Sequence, residues 1–196
     1  MKNLWATVLI ITLIAGCNDL DYYSVSPNHY LAFSADTVSF DTVFTAIGST
    51  TNYFMIYNNN NEDLKISKIL LANSADSHFR INVDGRKGDS FDDIPIWKKD
   101  SLYVAVEVTV HPNDENSPFV IYDSVIFITN GVTQYILLEA YGQNVHILKG
   151  GTTFEKDTTL TSEKPYLVYD SIMIPEGVTV NIDKGASFYM HHKVKW

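Results

Sequence analysis

One cysteine, Cys17, occurs in the whole chain, so no internal disulfide can form and no paired-thiolate metal motif exists. Charge is sparse and one-sided: 23 acidic residues stand against 14 basic ones, a net charge of −9. That excess argues against nucleic acid as a partner and against docking on an anionic leaflet by charge. No apolar run reaches the roughly 20 residues that span a bilayer. A G-x-S-x-G elbow, a phosphate loop and an H-E-x-x-H helix are also missing. No catalytic residue, metal or cofactor is therefore expected, and the chain reads as a non-enzyme. Helical periodicity is lacking as well from Tyr30 onward, where apolar residues recur every second position instead.

What is present begins at the amino terminus. Lys2 precedes an uncharged apolar run, Leu4 to Ala15, of the length found in a secretory signal peptide. The run ends in Ile14-Ala15-Gly16-Cys17. This pattern resembles the bacterial lipobox. The resemblance implies removal of residues 1–16 and attachment of lipid to the Cys17 thiol, which becomes the mature terminus. Each buried acyl CH₂ contributes about 0.8 kcal/mol, so a multiply acylated cysteine is a firm membrane anchor. The competing reading is a secreted protein with an incidental cysteine. Asn18-Asp19-Leu20-Asp21 resembles the surface-export signal of Bacteroidetes lipoproteins. Residues 17–29 also read as a solvated tether. The expected location is the outer membrane, lipid-anchored at the cell surface, with the periplasmic face as the alternative.

Strand patterning dominates the middle of the chain. Leu102, Val104, Val106, Val108 and Val110 alternate with Tyr103, Ala105, Glu107 and Thr109, as a strand with one face on a core would. Phe79, Ile81 and Val83 alternate likewise with His78, Arg80 and Asn82. Asn52 to Tyr57 is apolar on both parities. Val125 to Ile128 is apolar throughout and suggests a central strand. Leu64 and Ile66 change parity to Ile69 and Leu71, which calls for a bulge near Ser67-Lys68. Asn130-Gly131 is a strong hairpin signal. Clusters at 58–63, 84–93 and 111–118 favour chain reversal. Roughly eight strands spaced by turns predict an all-β, antiparallel sandwich over residues 30–148.

Leu31-Ala32-Phe33, Tyr53 to Asn58, Leu64-Lys65-Ile66, Val106 to Pro112 and Leu138 to Gln143 together resemble Ig-like modules of the abnormal-spindle/HYDIN type. Residues 149–164, rich in Gly, Thr and charge, read as a linker. The stretch 165–196, with Pro175 to Met190 punctuated by Gly177 and Gly185, resembles the first rungs of a right-handed parallel β-helix. The whole arrangement resembles a group of uncharacterised Bacteroidetes lipoproteins that join such a module to a β-helix. A solenoid needs about three repeats to bury a continuous core. The expectation is thus a truncated product, a domain-bounded fragment or a coil completed by another chain.

One motif repeats. Eight of sixteen Asp residues precede Ser or Thr, and six of these begin Asp-Ser/Thr followed by an aliphatic residue or Thr. Asp at the end of a turn can accept nearby backbone N–H groups before a β-branched residue opens a strand. The pattern also resembles the O-glycosylation acceptor of Bacteroidetes exported proteins, which makes Thr37, Thr42, Ser101, Ser124, Thr158 and Ser171 candidate hydroxyls. His29, His78, His111, His146, His191 and His192 are scattered and read as isolated surface residues. Asp84, Asp89, Asp92 and Asp93 could hold Ca²⁺ through oxygen, but read more simply as a solvated hairpin loop. Glu107 reads as solvated or as a cross-strand partner. Tyr22, Tyr23, Tyr103, Tyr135, Tyr141 and Trp97 are either a sugar-stacking platform or ordinary strand formers.

These observations predict a non-catalytic, membrane-anchored lipoprotein that displays a β-sandwich for binding, adhesion or scaffolding. Its partners would be the membrane through Cys17, and a glycan or another surface protein. The alternative is the amino-terminal fragment of a β-helix polysaccharide-active enzyme whose catalytic rungs are missing.

Overall fold

The computed structural model describes residues 22–113, 116 and 118–191. Signal peptide 1–16, Cys17 and His192 lie outside these residues. Ten strands come first: β1 (Ala32–Phe33), β2 (Thr37–Phe44), β3 (Asn52–Tyr57), β4 (Leu64–Leu71), β5 (Phe79–Val83), β6 (Arg86–Gly88), β7 (Ser90–Ile96), β8 (Ser101–Val108), β9 (Phe119–Thr129) and β10 (Val132–Gln143). They form two five-stranded sheets, ordered β1-β3-β8-β5-β6 and β2-β10-β9-β4-β7. Every pairing is antiparallel except β2 with β10. The only helical turn among the described residues is the 3₁₀ segment Ser74–Asp76. The chain is an all-β sandwich over this region, as its periodicity predicts.

Side-chain alternation explains why two sheets form and face each other. Val104, Val106, Val108 and Val110 are wholly buried, as are Phe79, Ile81 and Val83 on β5. Opposite them lie Val125, Phe127, Ile136, Leu138 and Ala140 from the second sheet. Each such side chain contributes roughly 1.5–3 kcal/mol on burial. Aromatic contacts bridge the two layers. The Phe127 ring lies 4.9 Å from Phe33 and 6.1 Å, edge-on, from Phe54. Phe40 meets Phe79 at 6.0 Å.

Register features sit where the sequence places them. Pairing of β4 with β9 shifts between Ile66 and Lys68, and the bulge lets Leu64, Ile66, Ile69 and Leu71 all reach the core. Asn130 (φ 52°) and Gly131 (φ 77°) close the β9–β10 hairpin with two left-handed residues, the geometry of a type I′ turn. β9 is the central strand of its sheet. β3 departs from expectation: Phe54 and Ile56 are buried, but Tyr53 is 74 % exposed, so only one of its faces packs.

Two further expectations need correction. The stretch 84–93 is not one solvated loop. Asp84 and Gly85 make a tight left-handed turn, β6 follows, and Asp92 and Asp93 belong to β7. The described part of the tether, 22–29, is not free either. Ser24 is buried and its N–H donates to Asp63 O at 2.9 Å. The Asn130 amide donates to Ser26 O and His29 O, each at 3.0 Å. Tyr23 stacks on Trp97 at 6.3 Å, with Lys65 Nζ 4.9 Å from its ring centroid.

Beyond Gln143 the pairing becomes parallel. Strands β11 (His146–Leu148), β12 (Thr152–Thr153), β13 (Thr158–Leu160), β14 (Tyr166–Val168), β15 (Ile172–Met173), β16 (Val180–Ile182) and β17 (Phe188–Met190) follow. β11, β14 and β17 form one ladder, β12 and β15 a second, β13 and β16 a third. His146 faces Tyr166, which faces Phe188; Thr152 faces Ile172; Thr158 faces Val180. The segment 149–164 is therefore not a bare linker: β12 and β13 lie in it and pair with the next layer. Ring stacking runs along the first ladder, at 5.0 Å for His146 on Tyr166 and 5.2 Å for Tyr166 on Phe188.

Phe127 is the test of the two-layer core. Its replacement by Ala removes a wholly buried ring that touches both β1 and β3. Phe127→Ala is expected to lower unfolding free energy by about 3–5 kcal/mol, measured by urea titration of tyrosine and tryptophan fluorescence.

Candidate functional site

The site follows from the same alternation. Burying Val104, Val106 and Val108 turns Tyr103, Ala105 and Glu107 to the outer face of the first sheet. Antiparallel register then aligns neighbours. Arg80 lies opposite Glu107, and Thr51 Oγ1 donates to Glu107 Oε1 at 3.2 Å. In the next row, Tyr53 faces Ala105, Ala105 faces Asn82, and Asn82 faces Lys87. Met55 faces Tyr103 in the third row, and the Asp84 N–H donates to Tyr103 O at 3.0 Å. Ala105 is thus a small residue ringed by larger ones, and the floor dips there.

A loop roofs this dip and makes it a groove. Residues 72–77 cross from β4 to β5 and are pinned to β9. The Ala72 N–H donates to Ser124 O at 2.9 Å. The buried Asp123 carboxylate accepts from the Asn73 N–H at 3.2 Å and from the Ser77 hydroxyl. β6 forms the other wall, and Gly88 lets it lie close: a Cβ there would come within 3.1 Å of the Phe91 ring. The volume of this half-open groove is about 690 Å³, within the roughly 300–1,000 Å³ usual for ligand sites. Its lining carries Arg80 and Lys87 against Asp89 and Glu107, so its formal charge balances although the chain is acidic.

One group in the groove lacks a partner. Asn82 Oδ1 is shut off from solvent and accepts no hydrogen bond. An unpaired shielded acceptor costs about 1–3 kcal/mol. Thr129 Oγ1 shares this condition, but Thr129 is wholly buried between the sheets, whereas Asn82 lines the groove.

The residues singled out from sequence distribute differently. Thr37, Ser101 and Thr158 open strands, and Ser171 immediately precedes β15. Thr42 lies inside β2 and Ser124 in the middle of β9, so these two are not turn-to-strand junctions. Thr42 is exposed and the other five are half-buried. The capping role of Asp is visible in three triplets. The N–H of Thr42, Ser101 and Ser124 donates to the preceding Asp carboxylate at 2.8, 2.7 and 2.7 Å. Thr37 and Ser124 flank Leu137 in one cross-strand row on the outer face of the second sheet.

The histidines are not all isolated. His78 and His111 rings approach to 5.5 Å, and His191 stacks on Tyr169 at 4.4 Å. The four acidic candidates are dispersed. Asp89 Oδ2 accepts from Ser74 Oγ at 3.5 Å, and Asp92 pairs with Lys68 at 2.9 Å. Among the described residues, no three His, Cys, Asp or Glu side chains gather as metal ligands. The aromatics split among locations. Tyr103 lines the groove, Tyr23 and Trp97 pair, and Tyr135 and Tyr141 lie on β10. A hydrogen bond and the negative charge of Glu139 raise the Tyr141 phenol above its usual range. Sequence reasoning did not find Arg80, Asn82 and Lys87. The signal was the polar parity of the β5 run, combined with an alanine between Tyr103 and Glu107.

No protein-family model and no curated protein matches the chain. Among solved structures, it is similar to a protein of unknown function from Porphyromonas gingivalis W83, at 10 % identity and TM-score 0.43, over 65 % of this chain and 60 % of that one. It is similar to a family 123 glycoside hydrolase from Clostridium perfringens, at 8 % identity and TM-score 0.40, over 58 % of this chain and 26 % of that one. A third similarity is to the ASH/PapD-like domain of human CEP192, at 10 % identity and TM-score 0.37, over 67 % of this chain and 94 % of that domain. The match therefore spans about a quarter of the hydrolase and three-fifths of the Porphyromonas protein. These likenesses carry no argument about activity.

Replacing Asn82 separates its structural from its binding value. Asn82→Val keeps a strand-forming residue and removes the shielded acceptor. The variant is expected to be as stable as the parent or more stable by about 1 kcal/mol, measured by urea denaturation. A large loss of stability would show that Asn82 has a structural partner instead.

Proposed function

We propose that this chain is a lipid-anchored outer-membrane protein that displays an Ig-like β-sandwich as a non-catalytic binding module. The observation that carries the reading is the outer groove of the β1-β3-β8-β5-β6 sheet. It combines ligand-sized volume, hydrogen-bonding groups of both polarities and, at Asn82, an acceptor without a partner in the protein. The lipobox-like Ile14-Ala15-Gly16-Cys17 supports the anchor, and Asn18 to Asp21 supports display at the surface. The parallel ladders after Gln143, offset by 20 or 22 residues, support the start of a β-helix stacked coil upon coil.

Anchoring has a direct test. The parent protein is expected in the detergent phase of a Triton X-114 partition, and Cys17→Ala in the aqueous phase. Parent protein found wholly in the aqueous phase would remove the anchor.

We further propose O-glycosylation at exported Asp-Ser/Thr sites, with Thr42 favoured because it is exposed beside the Asp41 carboxylate. Intact mass of protein from a Bacteroidetes host should exceed the lipidated chain by whole hexose or related increments, and Thr42→Ala should remove one such unit. A mass equal to that of the bare lipidated chain would end the modification proposal.

A further inference from the structure

We infer that the groove takes an uncharged saccharide, with the sugar ring against Tyr103 above Ala105 and its hydroxyls on Asn82 and Glu107. The inference rests on the groove being the binding face proposed above. Asn82 lines the groove and its Oδ1 accepts no bond from the protein; a ligand O–H or N–H reaches it once the amide turns toward the groove. Glu107 adds an acceptor and Arg80 adds donors along the neighbouring row. Tyr103, 41 % exposed, supplies an aromatic face beside them. A ligand that presents hydroxyls on its rim and C–H groups on its face meets both demands at once.

Two competing ligand classes fit less well. The lining balances Arg80 and Lys87 against Asp89 and Glu107, within a chain of net charge −9, so a polyanion would gain little locally and be repelled by the whole. An extended peptide binds a sheet through free backbone groups at an edge strand. The groove floor is instead the face of β3, β8 and β5, whose backbones already pair with one another. That floor offers side chains, and the edge strand β6 beside it is only three residues long.

The test uses the full chain captured on a surface plasmon resonance sensor. Maltose, cellobiose, lactose and N,N′-diacetylchitobiose are the neutral probes, polygalacturonate the polyanion, and a tryptic digest of casein the peptide probe. Asn82→Val and Tyr103→Ala are the groove variants, and Tyr122→Ala, on the outer face of the other sheet, is the control. Thermal melts establish that each variant is folded.

At least one neutral disaccharide is expected to bind, at least tenfold more weakly to both groove variants and equally to the control. Failure of every neutral disaccharide at tens of millimolar would overturn the saccharide assignment. So would preference for polygalacturonate, or sugar binding indifferent to Asn82→Val. Groove-dependent binding of casein peptides alone would overturn the assignment but leave the binding-module reading standing. Absence of groove-dependent binding for every probe would count against both.

Discussion

The strict two-residue period of β8 governs this molecule. Three valines of the strand, with Val110 just beyond it, are sealed between two sheets on one parity, and the intervening residues have no choice but to face out. Slipping the strand by one position would bury Tyr103 and Glu107 and expose the whole valine row, at a cost of several buried side chains of roughly 1.5–3 kcal/mol each. The core therefore specifies the groove. Ala105 stands on the outer face because Val104 and Val106 stand on the inner one. Asn82 and Tyr53 meet it because the flanking strands are held in register by their own buried rows.

The polar layer depends on the apolar one in a second way. The 72–77 loop is not held by hydrophobic packing of its own, for no residue of its 3₁₀ turn is buried. Its position comes from Asp123, a carboxylate carried inward on β9 between Val125 and the strand end. Because β9 is central in its sheet, that carboxylate is fixed, and the roof over the groove is fixed with it. Asp123 also begins one of the repeated triplets, so the motif here secures a loop and does not mark a strand start.

Legibility followed the strength of periodicity. The valine row, the β4 bulge and the Asn130-Gly131 hairpin could all be read from the sequence, since each leaves a local pattern. The parallel ladders were only half legible. Strands of two or three residues, such as Thr152–Thr153, are too short to show alternation, so a stretch that pairs shows only the composition of a linker. The groove was not legible at all from single strands. Its row joins Tyr53, Ala105, Asn82 and Lys87 through three separate registers, and no one segment contains more than one of them. The docking of residues 22–29 was hidden for the same reason, because its main clamp is the side chain of Asn130, about a hundred residues further along the chain.

That clamp gives the molecule a direction. The amino-terminal segment is fastened where Asn58, Asp63, Trp97 and Asn130 cluster, at one pole of the sandwich. Tyr53 and Ala105 sit about 16 Å further along their strands, and β10 departs for the parallel ladders from the opposite pole. The amino-terminal segment 22–29 and the parallel ladders therefore lie at opposite poles of the sandwich, with the groove partway between them. The bonds that restrain residues 22–29 thus keep the two ends of the described chain apart by the length of the sandwich.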